Sequence, residues 1–256
     1  MLGKTTGDVF AWEVANIERL NLSNHSIQDI TFLRSFVSLV DLDLSDATYS
    51  VFDRTHAPDC NRISDLTPLS YLPSLRAISL AGNNISDLSP IWNLTNLVVL
   101  DLRGNNIRDL GPLSNLRSLV SLPLAVNDIQ DISPLANLTA LTYLDLQING
   151  FGDLTPLANL PSLTELYLMD CNVSDLTPLS GITSLTDLGV QNNNISDLTP
   201  LANLTSISSL YLTNNNISDI KALSNMRDLA TLDLQGNAVL DFSPVENLPN
   251  LTAFYK

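Results

Sequence analysis

The sequence predicts an α/β solenoid, with a curved parallel β-sheet on its concave face and short 3-10 or α turns on its convex face. Two observations predict this fold class. One pattern of leucines and asparagines restarts every 22 residues along most of the 256-residue chain. Within each repeat the apolar spacing changes from two residues to nearer three, which is typical of a strand followed by a short helical return. One repeat should therefore form one coil of the solenoid.

The repeated unit reads LxxLxLxxNxIxDLxPLxxLxx, and ten complete units can be aligned. They start at Ile17, Leu39, Leu75, Leu97, Leu119, Leu141, Leu163, Leu185, Ile207 and Leu229. A terminal strand, LTAFYK, begins an eleventh unit at Leu251, and an insertion at 47–60 lengthens the second unit. We expect an N-terminal cap remnant over 1–16 and a repeat domain over 17–256.

The insertion contains Tyr49, Phe52, Arg54 and His56. It either folds over the rim of the concave face to contact a partner or is a tolerated excursion, and the sequence leaves both open. A metal site formed by His56 with Asp53, Asp59 and Cys60 is disfavoured, because these residues lack a recognised ligand spacing.

Within each unit, alternate strand leucines such as Leu144 and Leu146 should point inward. A Ser or Thr followed by Pro, as at Thr155 and Pro156, suits the N-cap and first position of the convex turn. Where the polypeptide leaves the strand, a recurring asparagine is expected to pair buried backbone groups with its amide. It occupies Asn83, Asn105, Asn127, Asn149, Asn193, Asn215 and Asn237. Cys171 and His25 take this position in their own units and are interpreted as replacements.

An aspartate lies two residues before the Ser or Thr position of every unit. These residues are Asp29, Asp65, Asp87, Asp109, Asp131, Asp153, Asp175, Asp197, Asp219 and Asp241. Coils stacked about 4.8 Å apart would make them a like-charged column, so each carboxylate should accept hydrogen bonds from nearby amides or hydroxyls. A column of calcium ligands is the alternative, but the dense acidic spacing of calcium loops is missing.

The composition excludes several function classes. A net charge of −15 with only 12 Lys and Arg argues against binding nucleic acid or an anionic membrane. No apolar run approaches the length of a membrane span. Two cysteines, Cys60 and Cys171, are too few for a disulfide framework and are expected to be free thiols. Neither His25 nor His56 has a nucleophile or paired acid beside it, so we expect no enzyme, cofactor or metal.

Function should lie in outward residues that the coil does not dictate. Apolar residues fall on neighbouring coils at Val99, Pro123, Ala125, Val126, Tyr143, Ile148, Tyr167, Met169 and Tyr211. Acidic residues surround them at Asp41, Asp43, Asp46, Asp101, Asp145, Glu165, Asp170 and Asp187. The predicted partner-binding residues are Val99, Asp101, Pro123, Ala125, Tyr143, Asp145, Tyr167, Met169, Asp187 and Tyr211. This patch favours a basic protein partner, and scattered apolar residues with solubilising acids are the alternative.

The segment LYLTNNNISDI and the recurring NNxISDLxPL resemble the 22-residue leucine-rich repeats of bacterial internalins, over about Ile17 to Leu251. The segment DVFAWEVAN similarly resembles an N-terminal cap in which Val9, Trp12 and Val14 cover the open end of the core. The resemblance implies a protein-binding concave face and a location outside a bacterial cell or on its surface. Similar repeats occur in cytoplasmic regulators of type-one protein phosphatases, and a spacer or targeting region of a larger protein is a further alternative. We expect a monomer.

Overall fold

The structure, a computed structural model, describes residues 11–46 and 60–256. Its described part contains one open sheet of 11 strands that follow one another in sequence order, and all neighbouring pairs are parallel. The strands are β1 Arg19–Asn21, β2 Asp41–Asp43, β3 Ala77–Ser79, β4 Val99–Asp101, β5 Ser121–Pro123, β6 Tyr143–Asp145, β7 Glu165–Tyr167, β8 Asp187–Gly189, β9 Ser209–Tyr211, β10 Thr231–Asp233 and β11 Ala253–Tyr255. The predicted fold class is confirmed.

Short 3-10 helices form the opposite, convex side of the coils. They span Thr31–Ser35, Thr67–Tyr71, Ser89–Ile91, Gly111–Leu113, Ser133–Asn137, Thr155–Leu157, Thr177–Leu179, Thr199–Leu201 and Lys221–Asn225. A short α-helix, α1, spans Ala11–Val14 and precedes the first strand. Its Val14 is 2% exposed and accepts a hydrogen bond from the Ile17 N–H, whereas Trp12 is 73% exposed. Val9 and residues 47–59 of the insertion lie outside the described residues, so the cap and the role of the insertion stay predictions.

The leucines of successive coils stack into one continuous core. In β6 and β7, Leu144 pairs with Leu166, and both side chains are fully buried. The burial of one leucine of this kind stabilises the fold by about 1.5–3 kcal/mol. Because each coil packs mainly against its two neighbours, stability comes from many equivalent local interfaces. The same one-to-one register holds the outward residues in straight columns along the sheet.

The recurring asparagine forms a ladder through the core. Asn127 accepts a hydrogen bond from the Ile107 N–H of the preceding coil at 3.0 Å. Its Nδ2 donates to the Leu102 and Leu124 carbonyl oxygens, each at 3.0 Å. The same pattern recurs at Asn83, Asn105, Asn149, Asn193, Asn215 and Asn237. The predicted role of the asparagine is confirmed.

The second coil has its own ladder residue, Asn61, which sequence analysis missed. Asn61 is fully buried, donates to the Leu22 and Leu44 carbonyls and accepts the Ile27 N–H. The insertion at 47–60 shifts Asn61 out of the 22-residue spacing, so the repeat pattern alone does not identify it as a ladder residue. His25 takes the ladder position of the first coil but is exposed, and its Nδ1 lies 2.6 Å from the Ser23 carbonyl oxygen.

Cys171 is a buried replacement in the ladder, as predicted. Its Sγ lies 3.1 Å from the Leu146 carbonyl oxygen, and burial raises the pKa of the thiol to about 12. The cysteine side chain has no oxygen that could accept an N–H from the preceding coil. The backbone of that preceding coil adopts a different conformation near Gly152. Gly152 adopts a φ of +74° and donates its N–H to the Cys171 carbonyl. A Cβ at Gly152 would lie 3.1 Å from the Asn172 carbonyl oxygen, so glycine is required there.

The aspartate column caps the convex helices. Asp153 Oδ1 accepts the N–H of Thr155 at 2.8 Å, and all ten aspartates make this bond two residues ahead at 2.7–2.9 Å. The prediction for the aspartates is confirmed. The N-cap assignment for Ser or Thr is wrong, because Thr155 is the first helical residue and its own N–H needs the acceptor. In the part of the protein that the structure describes, no group of three or more His, Cys, Asp or Glu could hold a metal ion.

We expect Asn127→Ala to lower the free energy of unfolding by about 2–4 kcal/mol, because it leaves one N–H and two carbonyls unpaired in the core. Asn106→Ala is the matched control, since Asn106 is exposed and its side chain makes no hydrogen bond within the described residues. Its effect should stay within about 0.5 kcal/mol. Urea unfolding followed by circular dichroism measures both, and equal effects would contradict the ladder's role.

The aspartate column should make stability depend on pH. Backbone and side-chain hydrogen bonds from the residue two ahead lower the folded-state pKa below 3.8 at Asp29, Asp65, Asp131, Asp153, Asp175, Asp219 and Asp241. Their contribution is therefore complete above the unfolded pKa and is lost as pH falls through the folded pKa. The melting temperature should be level down to about pH 5 and fall below about pH 4.

A paired control tests the source of this acid sensitivity. Asp153→Asn and Asp175→Asn keep an acceptor oxygen but remove the titrating charge. The melting temperature of the double variant should therefore fall less steeply with decreasing pH than that of the wild-type protein. An unchanged or steeper fall in melting temperature would count against the column as its cause.

Candidate functional site

Outward side chains of the sheet form the candidate site. In each three-residue strand the middle residue is inward, and the first and third lie on the concave face. Of the predicted partner-binding residues, the structure places Val99, Asp101, Tyr143, Tyr167, Met169, Asp187 and Tyr211 at least partly in solvent. Pro123, Ala125 and Asp145 are buried. The exposed members of this patch lie on β4 and on the coils of β6 to β9, and the intervening β5 contributes only the buried Pro123.

An aromatic pair lies at the centre of this patch. Tyr143 in β6 and Tyr167 in β7 have ring centroids 5.8 Å apart with an interplanar angle of 52°. The Tyr167 hydroxyl donates to Glu165 at 3.4 Å. Burial, followed by the charge of Asp145, raises the pKa of Tyr143 to about 12, and burial with Glu165 also raises the pKa of Tyr167. Both hydroxyls are therefore neutral and able to donate hydrogen bonds near neutral pH.

Asp101 and Asp145 do not act as the free negative charges that the sequence predicted. Asp101 forms an ion pair with Arg103 at 2.6 Å, and this hydrogen-bonded contact raises the pKa of the guanidinium. Asp145 is 4% exposed and accepts hydrogen bonds from the Gln147 N–H and side-chain amide. Burial raises the pKa of Asp145. Both carboxylates instead hold neighbouring side chains in fixed positions on the face.

Pro123 and Ala125 shape the face but present little surface, so their predicted exposure is wrong. Ala125 is buried, as are the small residues Ser45 and Ala81 at the equivalent position of other coils. Pro123 has no N–H to donate to the neighbouring strand. The pairing of β4 with β5 is accordingly reduced to one residue pair, Val99 with Ser121.

The rim where coils leave the sheet carries two strained residues. At this position the other coils with a left-handed backbone use Asn24, Gly82, Gly104, Asp170, Asn192, Asn214 and Gly236. Val126 and Ile148 adopt the same conformation, with φ of 59° and 55°, although both are β-branched. Left-handed backbone costs such residues about 1–2 kcal/mol. Their apolar character is evident from the sequence, but the strain becomes evident only when both residues are compared with the aligned Gly, Asn and Asp.

The repeats, the sheet and this variable outward surface define a leucine-rich-repeat protein. A family model described as "Leucine Rich repeats (2 copies)" matches residues 161–203 and 183–225, and a "Leucine Rich repeat" model matches residues 93–111. Leucine-rich-repeat proteins are generally binding modules for other proteins rather than enzymes. No helix among residues 11–46 and 60–256 has the length and apolar character needed to cross a membrane.

Among solved structures, the internalin inlF of Listeria monocytogenes is 31% identical, with a TM-score of 0.82 over 99% of this chain and 78% of that one. Internalin C2 of the same species is 27% identical, with a TM-score of 0.57 over 99% of this chain and 87% of that one. The chain therefore belongs to the internalin family of bacterial leucine-rich-repeat proteins.

The plant peptide hormone receptor RGFR1, solved in complex with RGF2, shares the fold alone at 22% identity. Its TM-score is 0.77, over 95% of this chain and 40% of that one. No curated protein sequence matches the chain.

We expect Val126→Asn to raise the free energy of unfolding by about 1 kcal/mol, because asparagine tolerates the left-handed backbone better. Gly104→Val at the equivalent position of another coil should lower it by about 1–2 kcal/mol. Urea unfolding of both variants tests the strain. A lower stability for Val126→Asn would show that contacts of the valine side chain outweigh its backbone cost.

Proposed function

We propose that the chain is a protein-recognition module that binds another protein on its concave sheet, as part of a bacterial surface or secreted protein. The observation that carries the proposal is the paired Tyr143 and Tyr167, part-exposed at the centre of the patch. The coil requires no tyrosine at these positions, since the same columns hold Ser121 and Gly189 on neighbouring strands. Tyrosine is enriched among the residues that dominate binding energy, because it buries a large ring and keeps a hydroxyl for hydrogen bonding.

Apolar side chains extend this centre along the sheet. Val99 is 38% exposed on β4, and Met169 and Tyr211 are part-exposed beside and beyond the tyrosine pair. A patch of this kind loses ordered surface water when a partner covers it. Polar groups held by internal bonds, such as Asp101 with Arg103, lie around it and would give orientation to the partner.

Charge supports a basic partner. The protein has a net charge of −15, and Asp41, Asp43, Glu165 and Asp187 lie at outward positions of the sheet. Their combined field would attract a positively charged protein and raise its association rate at low salt. The same charge opposes self-association and nucleic-acid binding, so we propose a monomeric module.

Membership of the internalin family supports a bacterial setting outside the cytoplasm. The internalin scaffold is shared along almost the whole sequence, while the outward residues differ from coil to coil. A fixed scaffold with variable outward residues is the arrangement expected of a module selected for one partner.

We expect the double variant Tyr143→Ser with Tyr167→Ser to weaken partner affinity by a factor of about 30 or more, since hot-spot residues contribute about 2 kcal/mol or more. Partners are first selected from an array of purified extracellular protein domains with known isoelectric points, and dissociation constants are then measured by biolayer interferometry.

Tyr71→Ser is the matched control, because Tyr71 is 53% exposed but lies in a convex 3-10 helix. Its effect on affinity should stay within about threefold. Equal loss in the control and the double variant, or no loss in either, would reject the concave face. An array without any specific partner would favour a spacer instead.

A further inference from the structure

A cleft of about 950 Å³ runs beside the concave face, where the coils leave the sheet. Its lining includes Val126 and Ile148 together with Asn84, Asn106, Gln130 and Asp170. It begins at the coil that holds Asn84 and ends at the coil that holds Asp170, which is four coil steps further along. At about 4.8 Å per step it is roughly 19 Å long, the length of about six residues of extended polypeptide.

Two of these lining residues break the local rule of the scaffold. Val126 and Ile148 lie in adjacent coils, at the one position where the repeat otherwise uses glycine, asparagine or aspartate. Both side chains are part-exposed, so burial in the core does not explain them. Backbone strain that persists at two neighbouring surface positions points to a function served by the side chains.

The remaining lining matches the backbone of an extended peptide. The side-chain amides of Asn84, Asn106 and Gln130 are exposed and make no hydrogen bond within residues 11–46 and 60–256. Each amide offers donors and an acceptor, which are the groups that pair with the N–H and carbonyl groups of a peptide backbone. Asn84 and Asn106 lie on adjacent coils and Gln130 on the next, so the amides follow the length of the cleft.

The charge of the cleft is negative. Asp128, Asp131 and Asp170 line it, and Arg108 is the basic residue among its lining side chains. Arg108 pairs with Asp128 at 3.2 Å, which leaves the charges of Asp131 and Asp170 uncompensated by a basic side chain of the lining. Lys or Arg on the bound peptide would complement them.

We propose that this cleft binds one extended, basic segment of the protein partner, with aliphatic side chains of the segment packed on Val126 and Ile148. The inference rests on the proposed function, because the same partner would cover the concave patch and the adjoining rim. Val126 and Ile148 are then specificity-determining residues, and the free amides hold the backbone of the segment.

A phage-displayed library of random peptides of about ten residues, long enough to span the cleft, is selected on the wild-type protein. Enriched peptides are synthesised, and their affinities are measured for the double variant Val126→Asn with Ile148→Asn. Val37→Asn is the matched control, because Val37 is 52% exposed and lies outside the cleft. Melting temperatures are recorded for every variant.

We expect enriched peptides that combine Lys or Arg with aliphatic residues. The double variant should bind them about tenfold more weakly or worse, although its melting temperature is unchanged or higher. Val37→Asn should change affinity by less than about threefold. Weaker binding together with a lower melting temperature, no enrichment, or enrichment of acidic peptides would overturn the proposal.

A further variant separates the two proposals. Peptides that lose affinity for Tyr143→Ser with Tyr167→Ser, but bind the cleft double variant normally, would overturn the cleft proposal and leave the proposed function intact. A protein partner that loses affinity only for the cleft double variant would support the cleft and count against the concave tyrosines.

Discussion

The buried amide of the ladder asparagine is the interaction on which the other features depend. Where a coil turns off the sheet, its backbone groups face the core and cannot reach water. Asn127 pairs one N–H of the preceding coil and two carbonyls at once. Since each amide joins two coils, the ladder fixes their spacing and register together with the leucines. The outward columns of the sheet are straight because of this register, and neighbouring tyrosines such as Tyr143 and Tyr167 can therefore meet.

The structure tolerates exceptions because each coil contacts mainly its neighbours. Cys171 removes an acceptor, and the backbone of the preceding coil adjusts at Gly152 without a change in the sheet register. Asn61 restores the ladder directly after the insertion at 47–60. Val126 and Ile148 accept strained backbone on the rim while the core leucines beneath them stay buried. The scaffold is thus separable from the residues available to select a partner.

Much of the fold could be predicted because the 22-residue repeat is evident in the sequence. The leucine spacing, the ladder asparagines and the bonded aspartates all follow from one aligned unit. The N-cap was misassigned because Asp153 and Thr155 are both good capping residues, and only geometry shows which of them accepts the N–H. Asn61 was missed because the insertion interrupts the spacing that identifies its equivalents.

The site was less predictable because exposure depends on the neighbours of a residue. The repeat pattern shows that Ala125 lies on the outward side of the sheet, but only the structure shows that small residues at this position, including Ser45 and Ala81, are buried. Similarly, Asp145 was assigned as a steering charge because a sequence does not show the bonds from Gln147. The strain at Val126 was readable in principle, since its aligned equivalents are glycine, asparagine and aspartate. The repeat pattern does not specify the chemistry of the partner, because the repeated residues form the scaffold and not the binding surface.

The most direct test of the account is photocrosslinking from two matched positions, with p-benzoylphenylalanine replacing either Tyr143 on the concave sheet or Tyr71 on the convex side. Both replacements exchange one aromatic side chain for another and should leave the core intact. The account predicts that a protein partner crosslinks to position 143 and not to position 71. Crosslinking at position 71 alone would contradict it, because the partner would then bind the convex side and not the concave sheet whose register the ladder fixes.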